Sequence, residues 1–177
     1  LKNPDGQSFS VCFSPKSDRL IQTSFQNAVL WNVDTGQSDL QLLGHQGEIL
    51  SGRFDPDGTH VVTVEYLGKA RVFDASSGSL LAVHEGSRLL DAIISPDGRL
   101  AVDTTEESST AIWELETGRT LHRLVGHRHE IQSVDWNWDG TRVLTCSRDR
   151  TARIWSVETG ELLLELKGNA APILVGR

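Results

Sequence analysis

The stretch Trp31-Asn32-Val33-Asp34-Thr35-Gly36 decides the fold, because the chain repeats its pattern three more times. Each copy starts with an aromatic residue and reaches a glycine five positions later, and the later copies start at Phe73, Trp113 and Trp155. The aromatic residues are 42, 40 and 42 positions apart. A further glycine follows eight positions after each copy, at Gly44, Gly86, Gly126 and Gly168. These landmarks share one period, which indicates an internal repeat of about 41 residues.

Each repeat contains four short apolar segments separated by turn signals. In the last repeat these segments cover residues 131–136, 142–146, 152–155 and 162–166. Val143 and Ile154 are β-branched residues that suit a pleated sheet, and Asp139-Gly140 is typical of a tight hairpin turn. No segment keeps the 3.6-residue apolar period of a helix. The pattern therefore predicts a four-stranded antiparallel sheet, repeated four times.

Four strands in about 41 residues are typical of a β-propeller blade. Gly44-His45 and Gly126-His127, each followed by an Asp-Gly turn and then an aromatic strand, resemble the WD-repeat β-propeller family. The resemblance covers nearly the whole chain and implies an all-β propeller segment, residues 1–177, within a ring of seven or eight blades. We place four blades at about 7–43, 44–85, 86–125 and 126–167, and the start of a further blade at 168–177.

The resemblance also implies a buried polar network in each blade. Its members are the histidine of Gly-His, a Ser or Thr on the second strand, a turn aspartate and the tryptophan. The last repeat carries all four, as His127, Thr145, Asp149 and Trp155. The other copies replace members of the set: Pro4 and Phe25 in the first, Leu67 and Phe73 in the second, and Ser87, Asp103 and Glu107 in the third. Because such a network stabilises a blade only when every partner is satisfied, we expect the last blade to be held best.

Both ends of the chain continue the repeat pattern. Leu1-Lys2 aligns with the final strand of a preceding blade, and Gly168-Asn169 opens a fifth copy. The chain contains no methionine. We therefore expect a piece of a longer protein, with the remaining blades supplied by the parent chain or, alternatively, by a second copy of this chain.

The composition of the chain indicates which classes of partner to expect and in which cellular compartment the protein acts. Lys and Arg number 17 against 24 Asp and Glu, for a formal net charge of −7, and no basic stripe is present, which argues against nucleic-acid binding. No apolar run approaches the roughly 18 residues of a membrane helix, so no membrane partner is expected. The two cysteines are far apart and no N-glycosylation signal occurs. We predict a cytoplasmic protein, with the nucleus as the alternative compartment.

Motifs for metal binding or catalysis are weak. His122, His127 and His129 lie close in sequence, but no Cys or carboxylate completes a ligand set. The stretch 55–58 resembles a calcium loop, yet Tyr66 stands at the twelfth position, where such a loop needs a glutamate. Nothing resembles a nucleophile elbow or a phosphate loop. We expect no metal, no cofactor and no enzyme activity. The sequence leaves open the alternative that two carboxylates meet at the central channel of the propeller.

The resemblance places binding residues two to four positions after the Gly-His glycine and just before the turn aspartate. Carried over to this chain, the first set is Gln46, Glu48, Arg88, Arg128 and Glu130, and the second is Tyr66, Glu106 and Arg148. Exposed Tyr and Arg often anchor interfaces, so Tyr66 and Arg148 lead these candidates. The prediction is a non-catalytic scaffold that binds proteins or peptides. The alternative is a ligand-sensing or autoinhibitory module of a larger regulatory protein, such as a signalling ATPase.

Trp138 is a separate feature of the last repeat. It stands where the other copies have Pro15, Pro56 and Pro96 in a surface turn. The residue either anchors a partner on the opposite face or folds back over its own hairpin, and the sequence leaves both interpretations open.

Overall fold

The computed structural model describes residues 8–66 and 68–168, and within these ranges every regular element is a β-strand. Pro4, Leu67 and the stretch from 169 onward, where a further blade was predicted to continue, lie outside the described residues. The 16 strands are β1 (Ser10–Phe13), β2 (Arg19–Thr23), β3 (Ala28–Asn32), β4 (Ser38–Leu42), β5 (Ile49–Phe54), β6 (His60–Glu65), β7 (Lys69–Asp74), β8 (Leu80–Glu85), β9 (Leu89–Ile94), β10 (Leu100–Thr105), β11 (Ser109–Glu114), β12 (Thr120–Val125), β13 (Ile131–Trp136), β14 (Arg142–Ser147), β15 (Ala152–Ser156) and β16 (Leu162–Leu166).

Consecutive strands pair antiparallel in four sheets of four strands each. Blade 1 consists of β1–β4, blade 2 of β5–β8, blade 3 of β9–β12 and blade 4 of β13–β16. The prediction of an all-β fold built from four four-stranded antiparallel blades is confirmed. The part of the chain that is described contains no helix with the length and apolar character needed to cross a lipid bilayer.

The core of the molecule lies between successive blades. Leu30 and Leu42 of blade 1 pack with Phe54 and Phe73 of blade 2 in one buried cluster. Two further clusters fill the space between blades 2 and 3 and between blades 3 and 4. Burial of each large apolar side chain contributes about 1.5–3 kcal/mol, so the stacking of blades is the main source of stability.

The two outermost sheet faces lack such cover. Phe13 of β1 occupies the same register position as Phe54 of β5, yet Phe13 is 58% exposed and Phe54 only 9%. At the other end, Leu166 of β16 is 44% exposed, whereas Leu42 and Leu124, at the same register position, are 1% and 0% exposed. Within the described residues the four sheets therefore form an open series with apolar faces at both ends.

Antiparallel pairing sorts the connections into two ends. One end of each blade carries the connection that leads into its first strand and the connection between its second and third strands. We call this end the loop end. The remaining hairpins form the turn end. Trp138 lies in the β13–β14 hairpin at the turn end and is 87% exposed, so it does not fold back over its own hairpin.

Candidate functional site

A chain of hydrogen bonds joins the four network residues of blade 4. Trp155 Nε1 donates to Thr145 Oγ1 over 2.9 Å, and Thr145 Oγ1 is 2.7 Å from His127 Nε2. His127 Nδ1 lies 2.8 Å from Asp149 Oδ2. A neutral imidazole with its proton on Nδ1 satisfies every step, because the Thr145 hydroxyl then donates to Nε2 and Nδ1–H donates to the carboxylate.

The electrostatics of these groups agree with that proton arrangement. Burial lowers the pKa of His127 and outweighs the opposite pull of the Asp149 carboxylate. Burial opposes the charge on Asp149, but hydrogen bonds from Thr151, from the Arg128 backbone N–H and from His127 hold the pKa of this carboxyl well below its usual range. A neutral histidine thus donates to an ionised aspartate, and the pair ties the loop before β13 to the β14–β15 connection.

Blade 2 uses a different acidic residue in its network. His45 Nε2 is 2.9 Å from Thr63 Oγ1, while its Nδ1 turns to the Leu42 carbonyl at 3.1 Å. The backbone N–H of Gln46 donates to Glu65 Oε2 over 3.1 Å, just as the corresponding N–H in blade 4 donates to the turn aspartate. Glu65 on β6 therefore takes over part of the turn aspartate's role.

The Glu65 carboxylate also pairs with Arg71 on β7, and both side chains are almost fully buried. This pair was not predicted from the sequence. A usable signal was present, because Arg71 stands opposite Thr63 in the register and an acidic residue follows two positions after that threonine. A buried arginine at such a position requires a carboxylate nearby.

Blades 3 and 1 lack the four-member chain. In blade 3, Ser87 Oγ donates to Glu107 Oε1 over 2.6 Å in an exposed contact, and Trp113 Nε1 donates to Asp103 Oδ1 over 2.7 Å. In blade 1, the buried Nε1 of Trp31 has no hydrogen-bond partner among the described residues. Across 8–66 and 68–168, the complete His-Thr-Asp-Trp chain thus occurs in blade 4 alone.

The eight residues predicted to bind partners all lie at the loop end. A backbone hydrogen bond joins a member of the second set to a member of the first set in each of three blades: Tyr66 N–H to Glu48 O (2.9 Å), Glu106 N–H to Arg88 O (3.2 Å) and Arg148 N–H to Glu130 O (3.1 Å). The structure therefore brings the two sets together as three equivalent loop pairs, one per blade.

The side chains of these pairs are accessible. Arg88 pairs with Glu106 at 3.2 Å and Arg148 with Glu130 at 3.1 Å, and the two arginine side chains are 70% and 54% exposed. Tyr66 is 51% exposed. Exposed ion pairs of this kind contribute little to stability, so their charged groups can be exchanged for those of a partner at small cost. Gln46 and Arg128 are exposed as well.

The WD40 family model, described as WD domain, G-beta repeat, matches residues 36–74 and 118–156. The chain contains WD40 repeats. The two matched segments include the two Gly-His pairs, at Gly44-His45 and Gly126-His127. They correspond to the blades in which a histidine contacts the threonine of the second strand.

Several curated proteins are similar to these WD40 repeats. Autophagy-related protein 16 of Arabidopsis thaliana is 26% identical over 134 residues, covering 73% of this chain and 26% of that protein. A probable cytosolic Fe-S cluster assembly factor of Schizosaccharomyces japonicus is 31% identical, covering 75% of this chain and 23% of that protein. Eukaryotic translation initiation factor 3 subunit I of Aspergillus terreus is 27% identical, covering 82% and 48%. The chain thus spans between about a quarter and about half of these relatives.

The WD40 repeats use their histidines and acidic turn residues for structure. His122 Nε2 contacts the Glu158 carbonyl at 3.2 Å, and His127 is engaged in the blade 4 network. Asp55, from the stretch that resembles a calcium loop, accepts hydrogen bonds from Thr59 and His60 and so closes the β5–β6 turn. In the part of the chain open to description, no three His, Cys, Asp or Glu side chains are grouped so that they could hold a metal ion.

Proposed function

We propose that this chain is a non-catalytic scaffold whose loop end binds proteins or peptides. The observation that carries the proposal is the set of three equivalent loop pairs, which expose Tyr66, Arg88 and Arg148 on three successive blades. Tyrosine and arginine are the residue types that most often anchor protein interfaces. In each pair a backbone hydrogen bond holds the two loops together, which limits the conformational entropy lost on binding.

The relatives support a role in protein assemblies. One is named as a subunit of translation initiation factor 3, and another as a factor of cytosolic Fe-S cluster assembly. On the basis of these names we propose that this chain is also a scaffold and that it acts in the cytoplasm. Neither name supports the alternative of a sensing module.

The proposal also concerns the exposed apolar faces of blade 1 and blade 4, each of which needs a neighbouring blade to bury it. Phe54, at the register position of Phe13, and Leu42 and Leu124, at that of Leu166, are buried against a neighbouring blade. We propose that further blades of the parent chain pack against these faces, with a second copy of this chain as the alternative source.

Replacing Tyr66 and Arg148 together by alanine is expected to weaken partner binding at least tenfold, since interface anchors of these types often contribute more than about 1.4 kcal/mol each. The measurement is quantitative affinity purification with the tagged protein as bait, followed by titration of each recovered partner. Trp138→Ala is the matched control, because Trp138 is even more exposed than Tyr66 but lies at the turn end. Loss of the same partners with Trp138→Ala, and their retention with the double variant, would contradict the proposal.

A further inference from the structure

His84 is a buried histidine that belongs to no Gly-His pair. It lies on β8, the outermost strand of blade 2, and is 2% exposed. Leu42 and Leu124 occupy the same register position in blades 1 and 3, opposite Ala28 and Thr110. A titratable side chain thus replaces leucine at a position that contacts the next blade.

Both ring nitrogens of His84 face hydrogen-bond acceptors of blade 3. Nδ1 is 2.9 Å from the Gly118 carbonyl oxygen, and Nε2 is 3.4 Å from Asp103 Oδ2. Nε2 is buried and has no hydrogen-bond partner among the described residues, so its approach to Asp103 is an ion-pair contact. A neutral imidazole has one N–H, which leaves one of these acceptors facing a lone pair, whereas the imidazolium directs an N–H towards each of them.

Asp103 and Trp113 complete the arrangement. The Asp103 carboxylate, 2% exposed, accepts from Trp113 Nε1 at its other oxygen. The Trp113 indole stacks on the His84 ring with centroids 4.6 Å apart and an angle of 3° between the planes. A cation above an indole face is favourable, so stacking and ion pair both stabilise the doubly protonated form.

The charged and polar groups around His84 also favour its protonated form. Burial disfavours the imidazolium, but the Asp103 carboxylate and the Gly118 carbonyl outweigh it and hold the pKa of His84 above its usual value, against a smaller opposing effect of Arg123 on β12. Lys69 and Glu85, beside His84 in blade 2, form an ion pair with each other.

We propose that His84 and Asp103 form a proton-dependent latch between blades 2 and 3. The latch is closed when His84 carries both ring protons, donates to the Gly118 carbonyl and forms an ion pair with Asp103. It weakens when His84 loses a proton, because the buried carboxylate then faces a neutral ring. The loop presenting Arg88 follows directly after β8, so the latch also positions one of the three loop pairs.

The direction of the pH dependence follows from the raised pKa. A group that binds its proton more tightly in the folded state stabilises the fold fully below its unfolded pKa, which for histidine is 6.5. That stabilisation is lost as the pH rises through the pKa of the folded state. Blades 2 and 3 are therefore held most firmly at mildly acidic pH and less firmly as the pH rises above 6.5.

A matched variant can be designed from the other blades of this chain. Leu occupies the position of His84 in blades 1 and 3, and Thr occupies the position of Asp103 in blades 2 and 4. His84→Leu with Asp103→Thr reproduces the pairing of Thr145 with Trp155 and removes the latch without leaving a buried charge. The single variant His84→Leu, by contrast, leaves the Asp103 carboxylate buried without its cation.

The test is urea unfolding of this chain and of the double variant between pH 6.5 and pH 8, together with NMR titration of the His84 ring in the wild type. We expect the midpoint urea concentration of the wild type to fall across this range, a smaller fall in the double variant, and a His84 titration midpoint above that of an exposed histidine. Cys146, whose thiol pKa is raised by burial, is present in both proteins, so its contribution cancels in the comparison. Equal slopes in the two proteins, or a His84 midpoint below the ordinary value, would overturn the proposal.

Discussion

Replacing Asp149 by alanine is expected to lower the free energy of unfolding by about 1–3 kcal/mol, because it removes the carboxylate that accepts from the buried imidazole of His127. The carboxylate accepts from His127 Nδ1, whose side chain is fully buried, and from the Arg128 backbone N–H. The imidazole is enclosed in the blade, so its Nδ1–H loses its carboxylate partner, whereas the exposed Arg128 N–H can bind water instead. Urea unfolding monitored by tryptophan fluorescence measures the change.

The matched control is Glu107→Ala in blade 3. Glu107 occupies the corresponding position in its repeat, but among the described residues its carboxylate accepts only an exposed hydrogen bond, from Ser87. Its replacement should change the free energy of unfolding by about 0.5 kcal/mol or less, as is usual for an exposed side chain. Equal losses for the two variants would contradict the conclusion that blade 4 is held by a buried network and blade 3 is not.

The 177-residue chain, expressed alone, is expected to self-associate through its two open faces. Val11 and Phe13 are 54% and 58% exposed on one face, and Leu164 and Leu166 are 48% and 44% exposed on the other. Burying several such side chains gains about 1.5–3 kcal/mol for each of them, which is large against a total domain stability of about 5–15 kcal/mol. Light scattering coupled to size-exclusion chromatography measures the mass of the species formed.

Two variants separate association through these faces from unspecific stickiness. Phe13→Ser with Leu166→Ser removes one large apolar side chain from each face and should shift the population towards monomer. Trp138→Ser removes a more exposed aromatic residue at the turn end and should leave association unchanged. A wild-type chain that stays a monodisperse monomer and unfolds cooperatively would show that four blades need no further cover.

The repeat period and the aromatic strands carried most of the fold prediction. The positions of Trp31, Phe73, Trp113 and Trp155 defined the four blades, because this strand position is buried in blades 2, 3 and 4 and half-buried in blade 1. These constraints are periodic, so a single sequence displays them four times. The exposure of Trp138 could not be predicted in this way, since the residue occurs once and has no counterpart in the other repeats.

The substituted networks were harder to predict, for a physical reason. Glu65 and His84 compensate for losses at other positions, and His84 does so from the neighbouring blade. A position-by-position comparison of the repeats shows only that Asp103 replaces a threonine. The ion-pair partner of Asp103 is His84, which lies in the preceding blade, just before the Gly86-Ser87 pair. The signal would have been two unusual polar residues where other blades bury leucine (Leu42 and Leu124) or threonine (Thr63 and Thr145), because buried charges require partners.

Hydrogen–deuterium exchange of the protein, alone and bound to a partner recovered by affinity purification, tests the central claim that the loop end is the binding surface. We expect binding to slow exchange in the loop-end segments at residues 43–48, 86–88, 106–108, 126–130 and 148–150. We expect no change in the turn-end hairpins at 55–58, 96–98 and 137–140. Protection confined to those hairpins, with exchange at the loop end unchanged, would contradict the claim.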